Sequence, residues 1–85
     1  MHDDEKSDLA KIIEITNRVS GGGARDLRLD TRLVEDAGLD SIALVELIEE
    51  VQQKLDTEFH PDDYSFENFA TVGSILLLVA SRKKR

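Results

Sequence analysis

Cysteine is absent from this 85-residue chain. Its absence removes both a disulfide framework and any thiolate metal site. Histidine is nearly as scarce: His2 and His60 stand far apart in the sequence, which argues against a zinc site. Long apolar runs are missing as well. No stretch approaches the ~20 residues needed to span a bilayer, and Met1-His2-Asp3-Asp4-Glu5-Lys6 lacks the apolar core of a secretory signal. The expectation is a soluble, cytoplasmic protein with no membrane partner. Basic charge is the fourth shortage, with 11 Lys and Arg against 18 Asp and Glu for a formal net charge of -7. Binding to phosphates needs a basic face, so nucleic acid is not expected as a partner. Shortness sets the last limit: a chain of this size buries only roughly 60% of its unfolded surface, so one core is expected and a second catalytic domain is not.

The acid that is present is concentrated. Between Glu35 and Glu67 there are eleven acidic residues (Glu35, Asp36, Asp40, Glu46, Glu49, Glu50, Asp56, Glu58, Asp62, Asp63 and Glu67) and a single basic one, Lys54. Basic residues gather elsewhere, as Arg25, Arg28 and Arg32 and as the terminal run Arg82-Lys83-Lys84-Arg85. A field of one sign over the middle of the chain steers basic partners toward it.

Periodicity predicts helices throughout. Ser7 is the expected N-cap of a first helix, with Leu9, Ile12, Ile13, Thr16 and Val19 at helical spacing. It ends at Ser20-Gly21-Gly22-Gly23, a run that does not continue a helix cheaply. A long loop over residues 20–40 follows, with Leu27, Leu29, Leu33 and Val34 expected to plug into the core and pin it. Asp40 is the expected N-cap of the second helix. There Leu44, Leu47, Ile48, Val51 and Leu55 form a core stripe. Ile42 and Val45 lie off that stripe beside Glu46 and Glu49, which either widens the buried face or makes a mixed apolar and acidic docking surface. Pro61 forbids a continuing helix, Phe59 is an expected core anchor, and Ser65-Phe66-Glu67-Asn68-Phe69 reads as a short third helix with both aromatics inward. Thr71 caps the last helix, in which Val72, Ile75, Leu76 and Val79 face the core and Leu77 and Leu78 thicken the apolar face. The reading is all-α: a small four-helix bundle of three main helices and one short one. It is a single domain over 1–85, with 1–6 and 82–85 expected to be flexible, and a monomer is expected.

Little in this pattern supports catalysis. A nucleophilic serine needs a base and an oxyanion hole, yet no Gly-x-Ser-x-Gly elbow occurs and His60 is the one imidazole near the ordered part. The acid pairs Asp62-Asp63 and Glu49-Glu50 are neighbours in sequence, and adjacent helical side chains point apart. Calcium-loop spacing is absent. What remains is Ser41 itself, a serine at the point where a polar loop becomes an amphipathic helix. That position sits at the positive end of a helix dipole and suits an attachment point.

Asp40-Ser41-Ile42, preceded by Val34-Glu35-Asp36-Ala37-Gly38-Leu39 and followed by Val45-Glu46-Leu47-Ile48, closely resembles the acyl carrier proteins. Leu55-Asp56-Thr57-Glu58-Phe59 and Phe69-Ala70-Thr71-Val72 are similar to the exit from that family's second helix and the start of its last. The likeness runs from about Leu9 to Val79. It implies that Ser41, next to the motif residue Asp40, carries phosphopantetheine, moved from coenzyme A with Mg2+ by a phosphopantetheinyl transferase. The chain would then be a non-catalytic carrier of acyl groups held as thioesters. Its implied partners are the transferase, an acyl-loading enzyme, and synthase or tailoring enzymes with basic docking patches. They would meet Leu39, Ile42, Val45, Glu46 and Glu49. Three departures from the fatty-acid carriers, namely Glu49, Ala43 and the triple glycine, favour a polyketide or other specialised pathway. Two alternatives stand beside this reading. One is an aminoacyl or peptidyl carrier, although such carriers more often show Gly-Gly-x-Ser before the site. The other is an unmodified helical adaptor that docks basic partners.

Overall fold

In the computed structural model, which describes residues 4–22 and 26–82, the described residues form three α-helices: α1 (Asp4–Val19), α2 (Ser41–Lys54) and α3 (Val72–Arg82). α1 packs against both α2 and α3. Each helix contributes one apolar face to a shared core. Ile12 and Ile15 come from α1, Leu47, Ile48 and Val51 from α2, and Val72, Ile75, Leu78 and Val79 from α3; Leu33, Ala37, Leu39, Leu55, Phe59 and Phe69 arrive from the connections. Thr16 is fully buried among them, and its hydroxyl is satisfied by donating to the Ile12 carbonyl at 2.7 Å.

Helix ends follow local chemistry. α1 stops in a Schellman motif: the Gly22 N–H donates to the Asn17 carbonyl at 2.9 Å and the Gly21 N–H to the Arg18 carbonyl at 3.1 Å, with Gly21 at φ 77°. α2 ends the same way, the Thr57 N–H reaching the Gln52 carbonyl at 3.0 Å over Asp56 at φ 52°. α3 starts from Thr71, whose hydroxyl accepts the Ser74 N–H at 3.0 Å, while the Ser74 hydroxyl accepts the Thr71 N–H at 3.0 Å. This reciprocal pair is a capping box with serine in place of the usual glutamate.

The long first connection is fastened to the start of α3. Leu33 N–H donates to the Ala70 carbonyl at 2.9 Å, Val72 N–H to Thr31 at 3.1 Å and Gly73 N–H to Leu29 at 2.8 Å. Two of the helix's unpaired first-turn donors thus go to loop carbonyls. The contact is close: a Cβ on Gly73 would lie 2.9 Å from the Leu29 carbonyl oxygen. At the other end of α3, Arg82 donates from Nε and Nη2 to the two carboxylate oxygens of Asp63, each at 2.8 Å.

Several expectations are corrected. The fourth helix is absent among the described residues. Its place is taken by a 3-10 turn, Pro61–Asp63, started by a proline that needs no donor at that position. Residues 65–69 close only a turn, in which the Ser65 hydroxyl accepts the Asn68 N–H at 3.2 Å. Phe69 points inward, its ring tilted against those of Phe59 and Tyr64 with centroids 5.8 and 5.5 Å away, but Phe66 is 82% exposed. Leu33 is buried and Leu27 partly so, whereas Leu29 and Val34 are exposed, because the backbone bonds to α3 already fix the loop. Leu77 faces out at 71% exposure, α3 being packed on one side only. Ser7 lies inside α1, which begins at Asp4. Of the ends expected to be flexible, residues 4–6 and 82 belong to helices; 1–3 and 83–85 lie outside the described residues.

Candidate functional site

The start of α2 is built by a turn, a peg and a cap. Arg32 closes the turn: its backbone N–H donates to Asp36 Oδ2 at 2.9 Å, and its guanidinium reaches both Asp36 oxygens at 3.2 Å. These bonds from Arg32 hold the Asp36 carboxyl below the usual carboxylate range. Glu35 pairs with the same guanidinium at 2.6 Å. Gly38, at φ 77°, then turns the chain in a conformation that side-chain-bearing residues rarely adopt. Leu39 follows as the peg, only 2% exposed, its N–H donating to the Leu33 carbonyl at 3.0 Å.

Asp40 is the N-cap. Its backbone is extended, and Oδ1 accepts the Ala43 N–H at 2.8 Å, while its carbonyl accepts the Leu44 N–H at 2.9 Å. Ser41 is therefore the first residue of α2. It is exposed, and its hydroxyl makes no hydrogen bond among the described residues. No acidic side chain occupies the first turn, so Asp40 alone answers the positive end of the helix. The arrangement offers a hydroxyl to solvent on a rigid support with N–H groups beside it, which suits a covalently attached anionic group.

Beyond Ser41 the outer side of α2 carries Ile42, 72% exposed, and Val45, also exposed. Glu46 and Glu49 are exposed on the same helix and enter no ion pair among the described residues. Glu50 is different: Arg18 of α1 clamps it by donating from Nη1 and Nη2 to its two carboxylate oxygens, and this holds its carboxyl below the ordinary value. Of the residues expected to meet partners, Ile42, Val45, Glu46 and Glu49 thus share the surface of one helix. Leu39 does not. As the apolar residue before an N-cap it belongs to the position that staples the chain to the helix's fourth residue, here the half-buried Leu44.

Two surface features were not legible beforehand. Val34 and Phe66, both read from sequence as core residues, line a hollow of about 230 Å³ with Leu44, Tyr64, Ser65 and Phe69. They also line a second one of about 420 Å³ with Arg32, Glu35, Ala70 and Thr71. Leu44 is one helical turn beyond Ser41, so apolar surface continues from the site toward these loops. No periodic signal marks such residues, since an apolar side chain in a loop reads as a core plug. The second feature is that cations from outside the acidic stretch partly neutralise it: Arg18 on Glu50, Arg32 on Glu35 and Asp36, and Arg82 on Asp63. His60 serves its own turn, donating its N–H to Asp63 Oδ2 at 2.8 Å.

Comparison with known proteins identifies the family. Residues 10–79 match the family model described as "Phosphopantetheine attachment site". An acyl carrier protein of Sulfurovum sp. (strain NBC37-1) is 39% identical over 54 residues, covering 64% of this chain and 69% of that protein. An acyl carrier protein of Onion yellows phytoplasma (strain OY-M) is 38% identical over 56 residues, covering 66% and 71%. A D-alanyl carrier protein of Bacillus cereus (strain B4264) is 30% identical over 66 residues, covering 78% and 84%.

Proposed function

The chain belongs to the phosphopantetheine-attachment family of carrier proteins, and from that premise we propose that Ser41 is the residue to which its phosphopantetheine is joined. One observation carries the reading: Ser41 opens α2 with an exposed, unbonded hydroxyl directly after the capping Asp40. Covalent phosphopantetheine is the cofactor of this family, and the thiol ending the arm supplies thioester chemistry when it is bound. The protein's own part is support. Asp40 and the Gly38 turn set the position of the hydroxyl, Leu39 and Leu47 fix the helix to the core, and the first-turn N–H groups favour a phosphodiester's charge by ~0.3–1 kcal/mol. In the loading step the Ser41 oxygen attacks the coenzyme A phosphorus that bears the pantetheine. A Ser41–phosphate bond forms, the pyrophosphate bond breaks, the nucleotide half leaves, and the hydroxyl proton passes to a base of the transferase.

Ile42, Val45, Glu46 and Glu49 form the docking face, presenting apolar anchors among acids to enzymes with basic patches. For cargo we favour an acyl group of a polyketide or other specialised pathway, on the grounds of Glu49, Ala43 and the triple glycine. The likeness to a D-alanyl carrier protein supports a second reading, an aminoacyl cargo. Mass spectrometry of the thioester on protein purified from its native host separates the two.

Attachment is tested by intact mass after incubation with coenzyme A and a broad-specificity transferase. Wild type is expected to gain one phosphopantetheine and Ser41→Ala none. Equal gain by both moves the site elsewhere, and no gain by wild type leaves the unmodified adaptor.

A further inference from the structure

The start of α2 already holds one anion. Asp40 Oδ1 takes the Ala43 N–H at 2.8 Å and the Asp40 carbonyl takes that of Leu44 at 2.9 Å. No other acidic side chain stands in the first turn. The N–H groups of Ser41 and Ile42 are orphans of the kind every helix start leaves. We infer that Asp40 and the phosphodiester of the arm compete for this helix end, so that loading Ser41 weakens the hydrogen bond by which Asp40 holds Ala43. The inference rests on attachment at Ser41.

A phosphodiester keeps one negative charge at neutral pH. Joined to the Ser41 oxygen, it is one residue from the Asp40 carboxylate, and both anions are drawn to the same few N–H groups. Like charges at such range repel even in a water-like dielectric. The Asp40 cap therefore contributes most before loading, when it is the one anion at the helix end, and less afterwards. Because the first turn brings no further acid, the exchange is confined to these two groups. Asp40 is in this sense a positioning residue: it fixes the first turn and the exposed hydroxyl for the transferase, then yields its place to the arm that it helped to install.

Thermal unfolding of wild type, Asp40→Ala and Asp40→Asn, each before and after loading, with loading verified by intact mass, tests the inference. Before loading, Asp40→Ala is expected to lower Tm by about 4–8 °C, the shift that a lost N-cap brings to a domain of this size. Asp40→Asn keeps an acceptor oxygen and should lower it less. After loading, the Asp40→Ala deficit should shrink to about half or below, and Asp40→Asn, relieved of repulsion, should equal or exceed wild type. A deficit equal in both forms, or larger after loading, overturns the competition while leaving attachment intact. Failure of wild type to gain phosphopantetheine mass overturns attachment and the competition together. Where a variant resists loading, wild type suffices: the temperature coefficient of the Ala43 amide proton should steepen on loading, and one that stays constant overturns the inference.

Discussion

At the scale of single residues, side chains of similar apolarity have opposite duties on one helix. Leu47 is fully buried and Ile42 largely exposed, although they are five positions apart on α2. Leu47→Ala removes packed volume from the core and is expected to cost about 2–5 kcal/mol. Ile42→Ala should change stability by no more than about 0.5 kcal/mol yet, on the proposed docking role, raise KM for the transferase by trimming an apolar anchor. Urea unfolding and loading kinetics on both variants check this; an Ile42→Ala protein that loads normally removes Ile42 from the face. Gly73 makes a different point. Its N–H donates to the Leu29 carbonyl, and an added Cβ would press on that same oxygen at 2.9 Å. Gly73→Ala should therefore push the loop off α3 and cost about 1–3 kcal/mol, seen as a lower Tm. An unchanged Tm would mean that the junction yields freely.

Among the elements, α3 is held at both ends, by the loop at its start and by Asp63 at its finish. The Arg82 guanidinium first, and the His60 N–H after it, lower the Asp63 carboxyl from 3.8 to about 2. A carboxyl depressed on folding contributes stability that is present above its unfolded value and lost as pH falls through its folded one. The window here runs from about pH 4 down to about pH 2. Melting curves of wild type and Asp63→Asn should differ at pH 6 and converge toward pH 2; a gap independent of pH would assign the effect to packing instead. This junction also shows where sequence reading stops. The α2 cap at Asp40, the α3 cap at Thr71 and the core stripe of α2 were legible because each depends on residues within a turn or two. The Asp63–Arg82 clamp spans nineteen positions and leaves no such trace. The expected short helix failed for a related reason: Ser65 does cap a turn, but the exposure of Phe66 is decided by what packs over it, which no local rule supplies. Ser41 was singled out by position and resemblance together, whereas the hollows that Val34 and Phe66 line with Leu44 and Thr71 became visible only once the two loops were brought together in space.

For the molecule as a whole, the excess of acid acts through its distribution. The formal charge is -7, but Arg18, Arg32 and Arg82 each engage acids of the central stretch, so the field is not spread evenly over all eleven. Glu46 and Glu49 keep their charge exposed beside Ile42 and Val45. Charge of this sort governs how often a basic partner arrives in register more than how tightly it finally holds. Screening sets in over a Debye length of about 10 Å at 0.1 M salt. Loading by a transferase with a basic docking patch should accordingly lose roughly 3–10-fold in kcat/KM between low and high salt, with kcat nearly constant. Replacing Glu46→Lys and Glu49→Lys together should lower kcat/KM at low salt by a similar factor and flatten the salt dependence. The flattening is the discriminating result, because a variant slowed merely by a damaged helix would remain as salt-sensitive as wild type. If wild-type loading ignores salt, the acidic face has no part in docking, and the exposed apolar side chains Ile42 and Val45 are left as its candidates for recognition.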